Sequence, residues 1–213
     1  MPPSDHYFEE TPQSRSDARM IDVTLPDVSF SMQTDRGVFS HGRLDTGTAI
    51  LLRGAPPPPP SGTFVDLGCG AGPIALTLAL RAPLASVLAV DVNSRARSLC
   101  SDNAIRLGLT NVTVAHPDEV PDDTVVDLLW SNPPIRIGKP ALHATLATWL
   151  GRLAPDGSAV LVVQRHLGAD SLDRWLNSNG HATRRLAARA GYRVLECGPP
   201  GSAGGRSDAS HAE

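Results

Sequence analysis

Short apolar runs alternate with helix-like segments over most of this chain, and this alternation constrains the fold more than any other feature. From residue 63 onward, the spacing predicts strand 63–66, helix 74–80, strand 87–90, helix 94–107 with Ser94 as its cap, strand 112–114, strand 125–130, helix 140–153, strand 159–163, helix 171–179, and strands 185–188 and 192–195. Strands joined by crossover helices lie parallel in one sheet, with helices on both faces. The sequence therefore predicts an α/β fold with a Rossmann-like, seven-stranded, mostly parallel sheet.

The segment before residue 63 follows a different pattern. Apolar and polar side chains alternate over 21–25 and 28–32, on either side of a Pro26-Asp27 turn, which is typical of a β-hairpin. The segment Asp45-Thr46-Gly47-Thr48 before 49–52 is typical of a capped short helix, and five consecutive prolines at 56–60 form a stiff, extended connection. The predicted organisation is a flexible N-terminus over 1–19, a hairpin and short helix over 20–54, a proline-rich connection over 55–62, the main domain over 63–198 and a disordered tail over 199–213.

Composition argues against a disordered chain, a membrane protein, a secreted protein and a disulfide-rich protein. Hydrophobic residues make up 41% of the 213 residues, which is enough for a buried core. Arg81 and Pro83 interrupt the longest apolar stretch, so it falls short of the ~20 residues that a membrane span requires. The N-terminus shows no basic start followed by an apolar run, as a secretory signal would. The three cysteines form no Cys-X-X-Cys pair, so we expect no disulfide scaffold, no metal site and a cytoplasmic location.

A glycine-rich segment from Asp66 to Gly72 follows a strand and opens a helix. Glycines allow the backbone to approach a ligand closely, and ligands of such sheets bind beyond the carboxyl ends of the strands. A dinucleotide-binding loop would place glycine where this chain has Pro73, which offers no N–H to a phosphate. Asp66 would also repel a pyrophosphate, whereas it would attract a cationic ligand. A dehydrogenase is therefore not favoured.

Further polar residues at strand ends extend this candidate site. Asp91 ends the next strand, where it can accept hydrogen bonds from both hydroxyls of a ribose. Asn93 follows at the rim, and Asp118, just past the third strand, can cap an adenine amino group. Cys69 is interpreted as a small loop residue rather than a nucleophile, because no histidine stands near it in sequence. These residues predict a positively charged ligand that carries a nucleoside.

The fourth strand ends in the segment Ser131-Asn132-Pro133-Pro134-Ile135. A conjugated amine is a poor nucleophile, because its lone pair is delocalised. The side-chain carbonyl of Asn132 and the backbone carbonyl of Pro133 can accept its two N–H groups and aim the lone pair outward. The two prolines hold this turn rigid. Taken alone, Asn-Pro-Pro also fits a turn that merely ends a strand; beside the glycine loop, it favours an amino group as acceptor.

The chain resembles class I S-adenosylmethionine-dependent methyltransferases of the small-domain group in three motifs, which are Asp66-Leu67-Gly68-Cys69-Gly70, Asp91 and Ser131-Asn132-Pro133-Pro134. The resemblance is strongest to the catalytic half of the ribosomal RNA small-subunit guanine-N2 methyltransferases (RsmC type), and it extends upstream to residues 34–40 and 44–48. It covers about residues 20–197 and implies a methyltransferase domain over 63–198 with S-adenosylmethionine as cofactor.

The resemblance and the residues together suggest a role for each matching position. The expected cofactor-binding residues are Asp66, Gly68, Cys69, Gly70, Gly72, Asp91, Asn93, Asp118 and Asn132. The expected catalytic residues are Asn132, Pro133 and Pro134, which hold the acceptor amine for in-line attack on the sulfonium methyl group. Positioning does most of the catalytic work in such a transfer, and no strong base is required.

Substrate contacts are expected on both sides of the Asn-Pro-Pro motif. Ile135 stands where related enzymes often have an aromatic side chain that stacks on a flat acceptor, and it offers apolar contact only. Phe39 is a candidate for the missing stacking face, and burial in the core is its alternative role. Arg136 and Lys139 directly follow the motif, and Arg165 follows the next strand, so these three can contact phosphates that flank a target base.

Positive charge is concentrated in the second part of the chain. Residues 136–193 carry nine basic and three acidic side chains, whereas residues 1–135 carry nine basic and sixteen acidic ones. Arginine pairs well with phosphate, so the basic part suits a polyanion. A solvated, arginine-rich surface that pairs with the acidic part is the alternative.

The preferred hypothesis is N-methylation of an exocyclic amino group, guanine N2 in ribosomal RNA, with ribosomal RNA or the small ribosomal subunit as partner. One alternative is methylation of a protein glutamine amide or a small-molecule amine. Another is a non-catalytic module that binds S-adenosylmethionine or the ribosome. We expect no membrane and no metal partner, and the sequence leaves monomer and homodimer open.

Overall fold

A computed structural model describes residues 15–38 and 40–201 of the chain. Most of the predicted flexible N-terminus lies outside the described residues, as do Phe39 and the predicted tail beyond Gly201. Within the described residues the chain forms nine strands and five α-helices.

The elements follow the predicted alternation. The strands are β1 (Arg19–Thr24), β2 (Ser29–Thr34), β3 (Ser61–Leu67), β4 (Leu84–Val90), β5 (Val112–Ala115), β6 (Val126–Ser131), β7 (Leu153–Gln164), β8 (Thr183–Arg189) and β9 (Tyr192–Cys197). The helices are α1 (Thr46–Gly54), α2 (Pro73–Arg81), α3 (Ser94–Arg106), α4 (Lys139–Leu150) and α5 (Ala169–Ser178). Short 3₁₀ turns lie at Pro117–Glu119, Ile135–Ile137 and Arg165–Leu167.

Seven strands form one sheet in the order β5-β4-β3-β6-β7-β9-β8. The first five run parallel, whereas β9 runs antiparallel to both of its neighbours, β7 and β8. The chain moves outward from β3 to β5 and then returns to β6 on the other side of β3. The switch point, where sheets of this type bind ligands, therefore lies between β3 and β6. This topology confirms the predicted Rossmann-like, mostly parallel sheet.

The N-terminal hairpin packs onto the same core as the sheet. β1 and β2 pair antiparallel, as their alternation predicts, and Val23, Phe30 and Met32 are buried in the cluster that also contains α1, α2 and α3. Asn103 of α3 binds β2 through two hydrogen bonds, from Gln33 N to Asn103 Oδ1 at 2.7 Å and from Asn103 Nδ2 to Gln33 O at 2.9 Å. Helices α4 and α5 cover the opposite face of the sheet with a second apolar cluster.

Several local predictions are wrong. β3 begins at Ser61, inside the predicted connection 55–62, and β4 begins at Leu84 rather than at residue 87. Asn93 rather than Ser94 caps α3, because the Asn93 side chain accepts a hydrogen bond from Ala96 N at 3.0 Å. Helix α4 ends at Leu150 rather than at residue 153, and β7 begins at Leu153 rather than at residue 159. A register shift explains the early start of β7, since Val126 of β6 pairs with Leu153 but Leu128 pairs with Ser158. The residues between the two pairs, Ala-Pro-Asp-Gly at 154–157, form a turn-like sequence that precedes the predicted apolar strand.

The described residues contain neither a membrane-spanning helix nor a cluster of metal-ligating side chains. No helix among residues 15–38 and 40–201 is long and apolar enough to cross a membrane. The same residues contain no group of three or more His, Cys, Asp or Glu side chains that could hold a metal ion.

Candidate active site

The glycine loop joins β3 to α2 at the carboxyl edge of the sheet. Gly68, Gly70 and Gly72 have positive φ angles of 77°, 54° and 95°, a backbone region that strongly favours glycine. The N–H groups of Gly68 and Cys69 both donate to Val90 O, at 2.8 and 3.0 Å, which fastens the loop to the end of β4. The conformation of the loop is therefore set by backbone hydrogen bonds.

The three glycines differ in what surrounds them. A Cβ atom added at Gly68 or Gly70 would meet no described atom closer than 3.8 Å, so the loop backbone is open there. A Cβ atom at Gly72 would lie 2.6 Å from the Sγ atom of Cys100. Gly68 and Gly70 thus leave room for a ligand, whereas Gly72 allows the loop to pack on α3.

Asp66 is fully buried at the end of β3. Its Oδ2 atom accepts a hydrogen bond from Ala75 N at 2.9 Å, whereas no described residue binds its buried Oδ1 atom. Burial raises the pKa of Asp66 to about 8; the Ala75 N–H opposes this rise, and the negative charge of Asp91 adds to it. A buried carboxylate oxygen without a partner is costly, and a positive charge nearby would offset that cost.

Asp91 follows β4 directly and braces the glycine loop. Its Oδ2 atom accepts from Gly70 N and its Oδ1 atom from Asn93 N, both at 2.9 Å. Burial raises the pKa of Asp91, although these two N–H groups and the charge of Arg97 act in the opposite direction. A carboxylate oxygen has more than one acceptor site, so both oxygens can still accept from a further donor such as a hydroxyl group.

Asn93 and Asp118 occupy different environments. Asn93 is buried; besides capping α3, its Nδ2 atom donates to Gly37 O at 2.9 Å, which ties α3 to the segment after the hairpin. Asp118 lies on the 3₁₀ turn beyond β5 with a side chain that is 90% exposed. The predicted contacts of both residues with a cofactor stay predictions.

Asn132 faces the glycine loop from the end of β6. The neighbouring Ser131 Oγ donates to Leu67 O at 2.6 Å, which holds the ends of β6 and β3 together. The Asn132 Nδ2 atom donates to Asp45 Oδ1 at 2.7 Å and to Thr48 Oγ1 at 3.1 Å. An amide nitrogen has two protons, so both have acceptors and the Asn132 side-chain oxygen is left for another donor.

The two prolines and Ile135 form a tight turn after Asn132. Pro133 is buried, and its carbonyl oxygen accepts a hydrogen bond from Ile135 N at 2.8 Å. A second lone pair of that oxygen can still accept from a ligand. Ile135 is half-buried against the core cluster under α4 and α5.

A small pocket separates the glycine loop from Asn132. One wall is the loop itself, and the opposite wall is Asn132 with the segment 40–48, which includes Arg43, Asp45 and Thr48. The structure thus brings Gly68, Cys69 and Gly70 of the loop to one cavity with Asn132. The other predicted site residues nearby do not line this cavity, namely Asp66, Gly72, Asp91, Pro133 and Pro134.

The three basic residues predicted to contact a substrate lie on the rim of this edge. Arg136 and Lys139 follow β6, Arg165 follows β7, and all three are exposed. In the part of the chain that the structure describes, none of these three side chains makes an ion pair or a hydrogen bond. Their role in substrate binding stays a prediction, as does that of Phe39, which the structure does not describe.

Sequence reasoning missed several residues of the site. It predicted a capped helix after the segment 45–48, but neither Asp45 as the cap nor the bond between Asp45 and Asn132, which lie 87 residues apart. It also missed Asn103, whose Nδ2 atom donates to Ala71 O at 2.9 Å and so supports the glycine loop from below. The segment 44–48 was the available indication, since it forms part of the resemblance upstream of the loop.

The methyltransferase small domain family matches residues 29–196 of the chain. The chain belongs to this family. The match confirms the predicted resemblance and the class of enzyme, an S-adenosylmethionine-dependent methyltransferase.

Individual relatives agree with this assignment to different extents. The uncharacterized protein YbxB of Bacillus subtilis is 31% identical over 196 residues, which cover 91% of this chain and 98% of YbxB. The ribosomal RNA small subunit methyltransferase C of Pseudomonas putida (strain F1) is 34% identical over 134 residues, which cover 62% of this chain and 40% of that protein. The chain therefore spans well under half the length of that relative.

Solved structures share the fold. A T. thermophilus 16S rRNA N2 G1207 methyltransferase (RsmC), in complex with AdoMet and guanosine, superposes with a TM-score of 0.71 at 23% identity, covering 85% of this chain and 50% of that one. A ribosomal protein L11 methylase from Lactobacillus delbrueckii superposes with a TM-score of 0.54 at 21% identity, covering 65% of this chain and 69% of that one. At these identities the likeness establishes the fold.

Proposed function

We propose that this chain transfers the methyl group of S-adenosylmethionine to an exocyclic amino group, and that the acceptor is guanine N2 in ribosomal RNA. The observation that carries the proposal is the Asn132 amide. Its nitrogen is bound by Asp45 and Thr48, so its oxygen is left to accept from an amino group beside the glycine loop. The relatives named small subunit methyltransferase C and the RsmC complex with guanosine support guanine in ribosomal RNA as the acceptor.

The glycine-loop side of the pocket fits S-adenosylmethionine. When bound, this cofactor supplies an electrophilic methyl group on a positively charged sulfur. The buried, unpartnered Oδ1 atom of Asp66 and the open backbone at Gly68 and Gly70 suit its cationic methionine end. Asp91 has acceptor capacity for the ribose hydroxyls. Asn93 supports Asp91 through its backbone N–H, and Asp118 lies past β5, where it can meet the adenine amino group.

The Asn-Pro-Pro turn holds the acceptor amine. Asn132 Oδ1 accepts one N–H of the amine, and Pro133 O accepts the other with the lone pair that Ile135 N leaves free. These two bonds aim the amine lone pair at the methyl group. Pro133 and Pro134 restrict the backbone of the turn, so little reorganisation is needed when the acceptor arrives. Orientation of the two reactants supplies most of the rate enhancement.

The rim beside this turn binds the RNA. Ile135 makes apolar contact with the acceptor base, and Arg136, Lys139 and Arg165 contact phosphates on either side of it. The proposed methyltransferase domain spans residues 63–198, and the segment 20–54 adds Asp45 and Thr48 to the acceptor side. A ribosomal acceptor implies a cytoplasmic site of action.

Methyl transfer to purified small ribosomal subunits and to free small-subunit RNA tests this proposal. The protein is incubated with isotopically labelled S-adenosylmethionine, and the products are digested and separated by mass spectrometry. We expect label in N2-methylguanosine with the wild-type protein and none with Asn132→Ala. Label in a methylated glutamine of a ribosomal protein would contradict the acceptor and favour the amide alternative. Absence of label in both RNA and ribosomal protein despite measured cofactor binding would overturn the ribosomal acceptor.

A further inference from the structure

The orientation of the Asn132 side chain decides what kind of acceptor the pocket can hold. A side-chain amide has an oxygen and a nitrogen at almost equivalent positions, and a half-turn exchanges them. With the oxygen toward the pocket, the site accepts from an N–H group; with the nitrogen toward the pocket, it would donate to a carbonyl or hydroxyl oxygen. Some other group must therefore fix the amide.

Asp45 fixes this orientation by its chemistry. An ionised carboxylate can only accept hydrogen bonds, so Asp45 Oδ1, 2.7 Å away, can bind the nitrogen of Asn132 but not its oxygen. Thr48 Oγ1 lies 3.1 Å from the same nitrogen, but a hydroxyl group can also donate and would tolerate either orientation. Of the two neighbours, only the carboxylate discriminates.

The position of Asp45 is itself well determined. The same Oδ1 atom accepts from Thr48 N at 2.8 Å and so caps α1, where the positive end of the helix dipole favours a carboxylate. Helix α1 is anchored by the buried side chains of Leu51 and Leu52. At Gly47, an added Cβ atom would lie 2.8 Å from Cε1 of Tyr192 on β9, so the first turn is tightly packed on the sheet. One oxygen atom thus links the start of α1 to the acceptor side of the pocket.

We propose that Asp45 is a positioning residue that holds the Asn132 amide with its oxygen toward the pocket and thereby selects acceptors that present an N–H group. This inference rests on the proposed function, because it assigns to Asp45 the orientation of the group that grips the amine. Asp45 acts through Asn132 and not on the acceptor directly. Removing it leaves the amide free to turn, and a turned amide would oppose an amino group with its own N–H.

Two substitutions of Asp45 separate this role from helix capping. Asp45→Ser keeps a good capping residue, so the melting temperature should stay close to that of the wild type, but its shorter side chain cannot reach Asn132 in the same way. Asp45→Asn keeps the length and an oxygen that can accept from both Thr48 N and Asn132 Nδ2. We expect Asp45→Ser to lower kcat about tenfold with a similar cofactor Kd, and Asp45→Asn to recover most of that loss.

A double-mutant cycle with Asn132→Ala provides the decisive test. If Asp45 acts through Asn132, Asp45→Ser should lower the rate of the Asn132→Ala variant by less than about twofold, because coupled residues are not additive. Losses that multiply in the double variant would overturn the inference, as would a failure of Asp45→Asn to recover activity.

A second readout does not depend on turnover. In NMR spectra of the wild-type protein, the Asn132 side-chain amide protons, assigned by their loss in Asn132→Ala, should exchange slowly with solvent and exchange faster in Asp45→Ser. Equal exchange in both proteins would overturn the inference. If the wild-type protein methylates nothing while the exchange difference is present, the proposed function fails and the positioning of Asn132 stands.

Discussion

The two sides of the pocket are built in different ways. The cofactor side consists of the glycine loop 66–72 and Asp91, which lie close together in the sequence. The loop is held by hydrogen bonds to the Val90 carbonyl and the Asp91 side chain at the end of β4. The acceptor side consists of the Asn132 turn together with Asp45 and Thr48, which lie 87 and 84 residues away. The first side is therefore a property of local sequence, and the second exists only once α1 has packed on the sheet.

This difference in construction corresponds to two functions, cofactor binding and orientation of the acceptor. The cofactor side consists of general features of ligand sites in such sheets, namely glycines at positive φ and carboxylates at strand ends. The acceptor side presents a single amide oxygen whose direction depends on distant residues. Substitutions on the cofactor side should therefore change the affinity for the cofactor, and substitutions on the acceptor side should change kcat.

The largest expected effect is on turnover in Asn132→Ala. Loss of a preorganised hydrogen-bonding group at a reacting centre typically costs about 100-fold or more in kcat. We expect a loss of that size in initial rates measured with saturating cofactor and RNA. Asn179→Ala, at the exposed end of α5, serves as the matched control and should retain wild-type rates. A rate for Asn132→Ala within about threefold of the wild type would remove Asn132 from the reaction.

The next effect concerns the pH dependence of stability in Asp66→Asn. The pKa of Asp66 is about 8 in the folded protein and 3.8 in its reference state, so its folded form retains a proton that the unfolded chain has lost. The stability that this proton confers is complete below about pH 4 and is lost as the pH rises toward 8. We therefore expect the melting temperature of Asp66→Asn, relative to the wild type, to rise between pH 4 and pH 8.

The size of this change in melting temperature depends on how far burial shifts the pKa of Asp66. A shift of one pKa unit corresponds to about 1.4 kcal/mol, and each kcal/mol moves the melting temperature of a chain of this length by about 2–4 °C. Asp123→Asn, at an exposed carboxylate, is the control and should show a constant difference from the wild type across this range. A constant difference for Asp66→Asn as well would contradict the burial argument.

A smaller effect is expected from the rim cations. Replacing Arg136, Lys139 and Arg165 with alanine should weaken RNA binding and reduce the slope of log K against log salt by about 2, since each neutralised phosphate of a single strand contributes about 0.7. Titrations at several salt concentrations measure this slope. The matched control replaces three exposed arginines elsewhere on the molecule, which are Arg106, Arg174 and Arg185. An equal change of slope in the two triple variants would show that the rim has no special role.

The smallest effect tests the packing that places Asp45. Gly47→Ala adds a Cβ atom 2.8 Å from Tyr192 Cε1 and 3.0 Å from Asp45 Oδ1. Alanine in place of glycine normally stabilises a helix by about 1 kcal/mol, but overpacking typically costs about 1–3 kcal/mol. We expect a net loss of about 1 kcal/mol in the free energy of unfolding, measured by denaturant titration.

Gly54→Ala, in the same helix, is the control for Gly47→Ala. Its added Cβ atom would lie 3.6 Å from Ala187 Cβ, which is an ordinary contact. This variant should be as stable as the wild type or slightly more so. A stabilised Gly47→Ala protein would show that the first turn of α1 is not fixed against β9.

Most of the fold could be predicted from the sequence because strands and helices leave periodic patterns of apolar residues. The alternation of apolar and polar residues identified the hairpin, short apolar runs identified the parallel strands, and the capped helix near 45–52 was correctly predicted as α1. The errors lie where local chemistry offers two choices. Asn93 and Ser94 are both good caps, and the turn-like Pro-Asp-Gly sequence inside β7 concealed a register shift. A local sequence pattern does not determine the register between two paired strands.

The sequence indicated the residues of the cofactor side, but on the acceptor side it indicated only the Asn-Pro-Pro turn and not its partners. Asp66, the loop glycines and Asp91 follow strands, so topology alone brings them to the same edge. The bond between Asp45 and Asn132 depends on how α1 lies against the sheet, which no local pattern specifies. The same holds for Asn103, whose contacts with both β2 and the glycine loop depend on the packing of α3.

Calorimetric titration of S-adenosylmethionine into the wild-type protein, Asp91→Ala and Asn132→Ala tests the division of the pocket most directly. Loss of hydrogen bonds to a charged group typically weakens binding by about 10–100-fold, so we expect a loss of that size in Asp91→Ala. Asn132→Ala should bind the cofactor within about fivefold of the wild type. A loss of affinity in Asn132→Ala as large as that in Asp91→Ala would contradict the division of the pocket into a cofactor side and an acceptor side.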